Sequence, residues 1–208
     1  MQRNNNFRLL PLIISIIVIA LVIAAIVSIG RAIFSGGDSS TDKTNEVDQG
    51  REALLNTTGG RSVQMTVRGP IVADEEFQSY QVEVSNSERS ITAYKGYLES
   101  RTGGTSLSNN TRAYEQFVYA LDKADMMKGK EAETEAENDL RGICASGYVY
   151  EYAVLSSGNN VKSLWTSSCG GSKGTLDASK EQLTNLFLEQ ISNSNDYIPF
   201  KQSTTYSL

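Results

Sequence analysis

The chain has 208 residues, enough for one domain of ordinary size together with an anchor and a linker. Residues 1–37 carry three arginines and no acid, whereas the remainder carries 16 basic and 24 acidic side chains, a net charge of −8. Such an acidic domain lacks the basic surface that binds nucleic acid, so we expect no nucleic-acid partner. The chain contains no histidine, which removes the commonest metal ligand and the commonest general base at neutral pH.

Residues 9–29 predict a transmembrane helix. The segment LLPLIISIIVIALVIAAIVSI holds 21 residues without a charge, and about 20 such residues span the hydrocarbon core of a bilayer. Pro11 falls in the first turn, where a helix tolerates proline. A cleaved signal peptide is the alternative, because Ser28-Ile29-Gly30 resembles a cleavage site, but its apolar region is usually only about 7 to 15 residues long. The lipid bilayer is therefore the first expected partner.

The arginines set the expected orientation of this helix. Arg3 and Arg8 precede the apolar segment, whereas Arg31 alone follows it before the first acidic residue. Because basic residues favour the cytoplasmic side of a membrane, residues 1–8 are predicted to be cytoplasmic. The C-terminal part of the chain is then expected to lie outside the cell, with the protein in the plasma membrane.

Two further segments are predicted to lack a stable fold of their own. Residues 30–60 are rich in Gly, Ser, Thr, Asn and Asp, a composition typical of a flexible linker, although Glu46 to Leu55 could form a turn or two of helix. The Ser/Thr-rich residues 201–208 predict a loose tail. The expected extracytoplasmic domain therefore covers residues 61–200.

The periodicity of residues 61–200 predicts an α+β fold. Alternating apolar residues predict three strands up to Tyr97, followed by a loop around Gly103-Gly104. A helix is predicted to begin near Asn110, then a second hairpin follows, and a last helix begins after Ser179. The order after the N-terminal transmembrane helix is β-β-β-α-β-β-α, which predicts an antiparallel sheet.

Cys144 and Cys169 are the only cysteines in the chain. Thiols outside the cytoplasm are normally oxidised, and the turn of the second predicted hairpin places these two positions nearly opposite each other. The sequence therefore predicts a structural disulfide that closes the open end of this hairpin. The alternative is a reactive cysteine, but the chain has no histidine to activate it.

Five tyrosines form a possible binding patch. Tyr148, Tyr150 and Tyr152 share one face of a predicted strand, and Tyr94 and Tyr97 could join them. Aromatic side chains at a surface favour recognition of a partner. The alternative is that the stripe packs beneath a helix, as aromatic residues of strands commonly do.

The sequence shows no motif for catalysis, metal binding or cofactor binding. The acidic tract at residues 131–139 lacks the sharp glycine turn of an EF-hand calcium loop and is expected to be solvated. Gly170 to Gly174 does not match a phosphate-binding loop, and Ser40 and Lys43 would form a Ser-Lys pair only within the linker. A pair of carboxylates among the 24 acids stays open as a catalytic site. We expect no metal and no cofactor.

The stretches FQSYQVEV, SITAYKGY, LWTSSCGG and LTNLFLEQI carry a resemblance to a known family. Over residues 61–192 the chain resembles single-pass membrane proteins of Saccharibacteria-like candidate-phyla bacteria. The resemblance implies a cell-envelope protein and brings no catalytic residues. We therefore expect a membrane-anchored, non-catalytic module that binds an envelope or extracellular protein or glycan, or that assists envelope assembly. The alternative is an envelope hydrolase or transferase with a carboxylate or serine site.

The predicted topology can be tested with a protease added to intact cells or spheroplasts. The protease should remove the C-terminal domain and leave an N-terminal tag protected, because the arginines that precede residues 9–29 favour a cytoplasmic N-terminus. Protection of the domain would contradict the orientation. Release of the domain as a soluble product would show instead that the apolar segment is cleaved.

Overall fold

The computed structural model describes residues 49–97, 99–130, 139–171 and 174–200. The predicted cytoplasmic N-terminus, the transmembrane helix, most of the linker and the tail lie outside the described residues, as does nearly all of the acidic tract. Within the part of the chain that is described, no helix combines the length and the hydrophobicity that crossing a bilayer requires.

The described chain folds in the order α-β-β-β-β-α-β-β-α. The elements are α1 (Gln49–Leu55), β1 (Arg61–Arg68), β2 (Gln78–Ser85), β3 (Glu88–Lys95), β4 (Ser100–Ser108), α2 (Thr111–Lys123), β5 (Val149–Ser156), β6 (Asn159–Ser167), α3 (Lys180–Leu188) and a short 3₁₀ helix, Ser194–Asp196. The six strands form one sheet in the order β4-β3-β2-β1-β5-β6, with every neighbouring pair antiparallel. The prediction of an α+β fold with an antiparallel sheet is confirmed.

One face of the sheet is apolar and forms the core. In β1 the alternation of side chains places Val63, Met65 and Val67 on this face, and all three are fully buried. Met65 lies between Val82 of β2 and Tyr152 of β5 in the pairing register. The apolar sides of α1, α2 and α3 join this same cluster, so we call it the core face and the opposite side the open face.

Both long helices begin at the polar residue that the sequence indicates. The side chain of Asn110 accepts a hydrogen bond from the backbone N–H three residues later, and Ser179 does the same for α3. The helices meet through Phe117 and Phe187, whose rings pack edge to face with centroids 5.2 Å apart. The two predicted helix starts are therefore confirmed.

A fourth strand, β4, lies where the sequence predicted a loop. It pairs with β3 along its length and forms one edge of the sheet. Gly104 has a φ of 144°, and a Cβ at this position would collide with the carbonyl oxygen of Ile91. Glycine here permits close strand pairing instead of a turn. The prediction of only three strands before the helix was wrong. β4 is held by backbone hydrogen bonds to β3, and its Ser/Gly-rich sequence lacks the apolar alternation from which strands are predicted.

Helix α1 lies within the range that the composition assigned to a flexible linker. Leu54 is only 1% exposed and belongs to the core cluster. The guanidinium of Arg51 donates to both carboxylate oxygens of Asp122 on α2, at 2.6 Å and 2.9 Å. The folded domain therefore includes α1. The polar composition of the segment did not indicate this, because Leu54 is the only large side chain that the helix buries.

The contribution of α1 to stability can be measured with two single variants. Leu54→Ala should lower the free energy of unfolding by about 2 to 4 kcal/mol, because it empties a fully buried site. Arg51→Ala should cost only about 0 to 1 kcal/mol, since exposed ion pairs contribute little, and the Arg51 side chain is 60% exposed. Denaturant unfolding curves of both variants give the comparison. A Leu54→Ala effect no larger than that of Arg51→Ala would show that α1 does not belong to the cooperative core.

Candidate functional site

A cleft with a volume of about 500 Å³ lies on the open face of the sheet. Its floor is formed by strand residues that alternate away from the core face. Arg68 of β1 pairs in register with Ser79 of β2 and with Val149 of β5, and Glu151 lies two residues further along β5. The sheet register therefore brings two charged and two small or apolar side chains together.

Three connections wall this cleft: the β1–β2 loop, the β3–β4 turn and the loop that precedes β5. The apolar wall residues are Ile71, Phe77, Tyr97, Leu140 and Ile143. Glu99 and Arg141 add one charge of each sign. The cleft is therefore amphipathic, with apolar walls beside a polar floor.

Two ion pairs involve charged residues that line the cleft. Arg68 Nη1 donates to Glu151 Oε2 at 2.8 Å, and both side chains are only partly exposed. Arg141 donates to the two oxygens of Asp139 just outside the cleft, at 2.8 Å and 2.6 Å. Hydrogen bonds from the Arg141 side chain and backbone lower the pKa of Asp139 to about 2. With Glu99, the lining holds equal numbers of basic and acidic residues and therefore has no strong charge of one sign.

The aromatic wall is fixed by specific contacts. Phe77 and Tyr97 stack with ring centroids 4.1 Å apart and planes 18° from parallel. The Tyr97 hydroxyl donates to the carbonyl oxygen of Val72 at 2.9 Å and accepts from its backbone N–H at 3.2 Å. The Asp74 carboxylate accepts from the Tyr97 backbone N–H at 2.8 Å. Phe77 is buried, whereas Tyr97 is 48% exposed, so a rigidly held ring stands at the edge of the cleft.

Glu99, on the same wall, has a left-handed backbone conformation. Its φ is 57°, a region that glycine adopts readily and other residues rarely. Its N–H donates to the Gly96 carbonyl oxygen at 3.1 Å, which closes the β3–β4 turn. A residue other than glycine at such a position carries a cost in backbone strain. Here that residue supplies a carboxylate to the lining of the cleft.

The predicted disulfide between Cys144 and Cys169 is confirmed, with Cα atoms 5.4 Å apart. It joins the loop before β5 to the segment after β6 and closes the open end of the second hairpin. Leu140 and Ile143, both wall residues, pack against the small apolar cluster that Cys144 forms with Val149. The disulfide therefore also holds one wall of the cleft.

The five tyrosines predicted as a possible patch do not share one surface. Tyr150 and Tyr152 lie in the core, 7% and 0% exposed, and Tyr148 points to the same side of β5. Tyr94 lies on the open face, and Tyr97 alone lines the cleft. The hypothesis of one exposed patch was wrong, because the stripe on β5 packs beneath the helices, which is the alternative that the sequence left open.

The buried phenols of this stripe are difficult to ionise. Burial, with smaller effects from the charges of Tyr148 and Glu181, raises the pKa of Tyr150 to about 12. Burial raises the pKa of Tyr152 well above its ordinary value, although a hydrogen bond with Thr184 at 3.0 Å opposes the shift. These groups are therefore neutral packing elements at physiological pH.

No group of three or more metal-ligating side chains lies together among the residues that the structure describes. Asp139, the last residue of the acidic tract, pairs with Arg141, and residues 131–138 lie outside the described ranges. The expectation that the protein needs no metal and no cofactor stays a prediction.

Sequence reasoning missed the cleft itself. Its lining is drawn from five separate stretches of chain, and no local pattern connects them. The signal available in the sequence was the apolar pair Ile71 and Val72, which stands between Gly69-Pro70 and the acids of the β1–β2 loop. The structure shows both residues exposed, at 44% and 39%. Exposed apolar residues in a loop commonly mark an interaction site.

No protein-family model and no curated protein matches this chain. Its function is therefore inferred from the geometry of the cleft.

The contribution of the disulfide can be measured in the double variant Cys144→Ser, Cys169→Ser. The variant should still fold, because the main core cluster does not include either cysteine. Its free energy of unfolding should fall by roughly 3 to 4 kcal/mol from chain entropy, since the bond joins residues 25 positions apart. Trp165 packs in the same small cluster as Cys144, so its fluorescence emission should change. Two alkylatable thiols in the natively purified protein would contradict the assignment.

Proposed function

We propose that this protein is a membrane-anchored extracytoplasmic module that binds an envelope or extracellular component in the cleft on the open face of its sheet. In this proposal a transmembrane helix at residues 9–29 holds the protein in the plasma membrane, with residues 1–8 in the cytoplasm and the domain outside. The apolar run and its flanking arginines support the anchor. The Cys144–Cys169 disulfide supports an oxidising compartment.

The observation that carries the proposal is the construction of the cleft. Ligand sites usually occupy about 300 to 1,000 Å³ and combine apolar walls with a few fixed polar groups. The cleft, at about 500 Å³, has this composition. Its lining is held by specific contacts: Arg68 and Glu151 orient each other, and the backbone of Tyr97 donates to Asp74. Groups that are already held in place lose little freedom when a ligand binds.

An envelope hydrolase is the second candidate function. It is favoured by one observation, that two carboxylates, Glu99 and Glu151, line the same cleft. A pair of carboxylates can act as general acid and general base on a glycosidic bond. Against it, Glu151 is engaged by Arg68, and the lining residues include no lysine that could serve a serine nucleophile. The protein should release soluble sugar from isolated envelope if this candidate is right, and each of the single variants Glu99→Gln and Glu151→Gln should abolish the release.

Site-directed cross-linking in intact cells tests the binding proposal. A photo-reactive residue in place of Ile71 should capture an envelope component, because Ile71 is 44% exposed and lines the cleft. Val161 provides the matched control: it is apolar and 47% exposed, but it lies near the turn between β5 and β6, at the end of the hairpin away from the cleft.

We expect capture from position 71, weaker capture when Tyr97→Ala is added, and little capture from position 161. Equal capture from positions 71 and 161 would show that the cleft does not direct binding.

A further inference from the structure

The aromatic wall of the cleft offers a free ring face. Phe77 covers one face of Tyr97 at a centroid distance of 4.1 Å. Tyr97 is still 48% exposed, and since Phe77 covers one face of the ring, we infer that the opposite face contributes to this exposed area. An aromatic face carries partial negative charge and attracts groups with partial positive charge. The C–H bonds on one side of a pyranose ring are such groups, and they lie in a plane that matches the open face.

The floor of the cleft offers fixed hydrogen-bonding capacity. A guanidinium has five N–H donors and a carboxylate has about four acceptor positions, whereas the contact between Arg68 and Glu151 is one hydrogen bond of 2.8 Å. The pair can therefore serve donors and acceptors of a ligand without losing its own contact. Hydroxyl and amide groups, which both donate and accept, suit such a floor.

An apolar surface lies directly beside this polar pair. Val149 adjoins Arg68 in the sheet register, and Ile143 packs against the cluster that contains Val149. Both residues line the cleft. A ligand that places a methyl group next to an amide would satisfy both surfaces at once, and the acetamido group has this arrangement.

The balance of charge restricts the ligand further. The lining contains Arg68 and Arg141 against Glu99 and Glu151. Such a surface provides no net attraction for a polyphosphate, a polyanionic sugar or a strongly cationic peptide. A neutral ligand fits the electrostatics of the cleft best.

We propose that the cleft binds a neutral oligosaccharide that carries N-acetyl groups. Tyr97 stacks on one sugar ring, the Arg68–Glu151 pair contacts hydroxyl and amide groups, and Ile143 with Val149 accommodates an acetyl methyl group. This inference rests on the proposed function, because it names the ligand class of the same cleft.

Calorimetric titration of the full chain in detergent micelles tests the ligand class. The two probes are tetra-N-acetylchitotetraose and cellotetraose, which share chain length and linkage but differ in the acetamido groups. We expect the N-acetylated probe to bind and cellotetraose to bind at least about tenfold more weakly. Cellotetraose lacks the acetamido group and so loses its polar amide contact and its apolar methyl contact.

Variants of the wall test the assigned contacts. Tyr97→Ala should weaken binding of the N-acetylated probe by about tenfold or more, as is typical for loss of an aromatic anchor. Tyr97→Phe should restore most of the affinity, since it keeps the ring and loses only the hydroxyl contacts with Val72. Tyr119→Ala is the control, because Tyr119 is 56% exposed on α2, which packs on the core face. Ile143→Ser should weaken binding of the N-acetylated probe and leave the affinity for cellotetraose unchanged. This variant tests the proposed ligand class even if Tyr97→Ala fails to fold.

The outcomes separate the two proposals. Absence of binding to tetra-N-acetylchitotetraose, with position-specific cross-linking from residue 71 intact, would overturn the ligand class and leave the binding function standing. Loss of both signals would overturn both. Equal affinity for the two probes would contradict the proposal that the cleft recognises the acetamido group. Unchanged affinity in a folded Tyr97→Ala variant would remove the stacking platform.

Discussion

The two-residue period of β1 is the constraint on which the rest of the structure depends. β1 lies inside the sheet, hydrogen-bonded to β2 on one side and to β5 on the other. Because Val63, Met65 and Val67 face the helices, Thr66 and Arg68 must point to the open face. A slip of one residue in either pairing would exchange the two sets of side chains. The same register therefore fixes the core and the floor of the cleft together.

The walls of the cleft depend on a different kind of restraint. They are loops, which the register of the sheet does not position, and each is tied by a local contact. Asp74 and Val72 fix the position of Tyr97 through hydrogen bonds, and the Cys144–Cys169 bond holds the loop that contains Ile143. The disulfide therefore has two roles, because it restrains one wall of the cleft and also contributes to the stability of the fold. The main core cluster contains none of the wall residues, so the apolar core and the walls are packed by different sets of side chains.

Features of the fold that depend on neighbouring residues could be predicted from the sequence. The caps at Asn110 and Ser179 and the second hairpin follow from local hydrogen bonding and alternation, and the hairpin in turn places the two cysteines. β4 could not be predicted, since an edge strand held by backbone hydrogen bonds needs no apolar pattern. In addition, a glycine such as Gly104 is typical of a turn in sequence, although here it permits close strand pairing. The floor of the cleft could not be predicted either. Arg68 and Glu151 are 83 residues apart, and only the order of the strands brings them together.

The disulfide links the shape of the cleft to the compartment in which the chain is found. In a reducing cytosol the two thiols would remain unpaired. The helices and the central strands can already pack, because their core cluster does not include the cysteines. The loop that carries Leu140 and Ile143 would then lack its covalent tie to the far side of the hairpin. Under the proposed location outside the cell, this wall would be completed only in the oxidising compartment, and the proposed binding in the cleft would begin there.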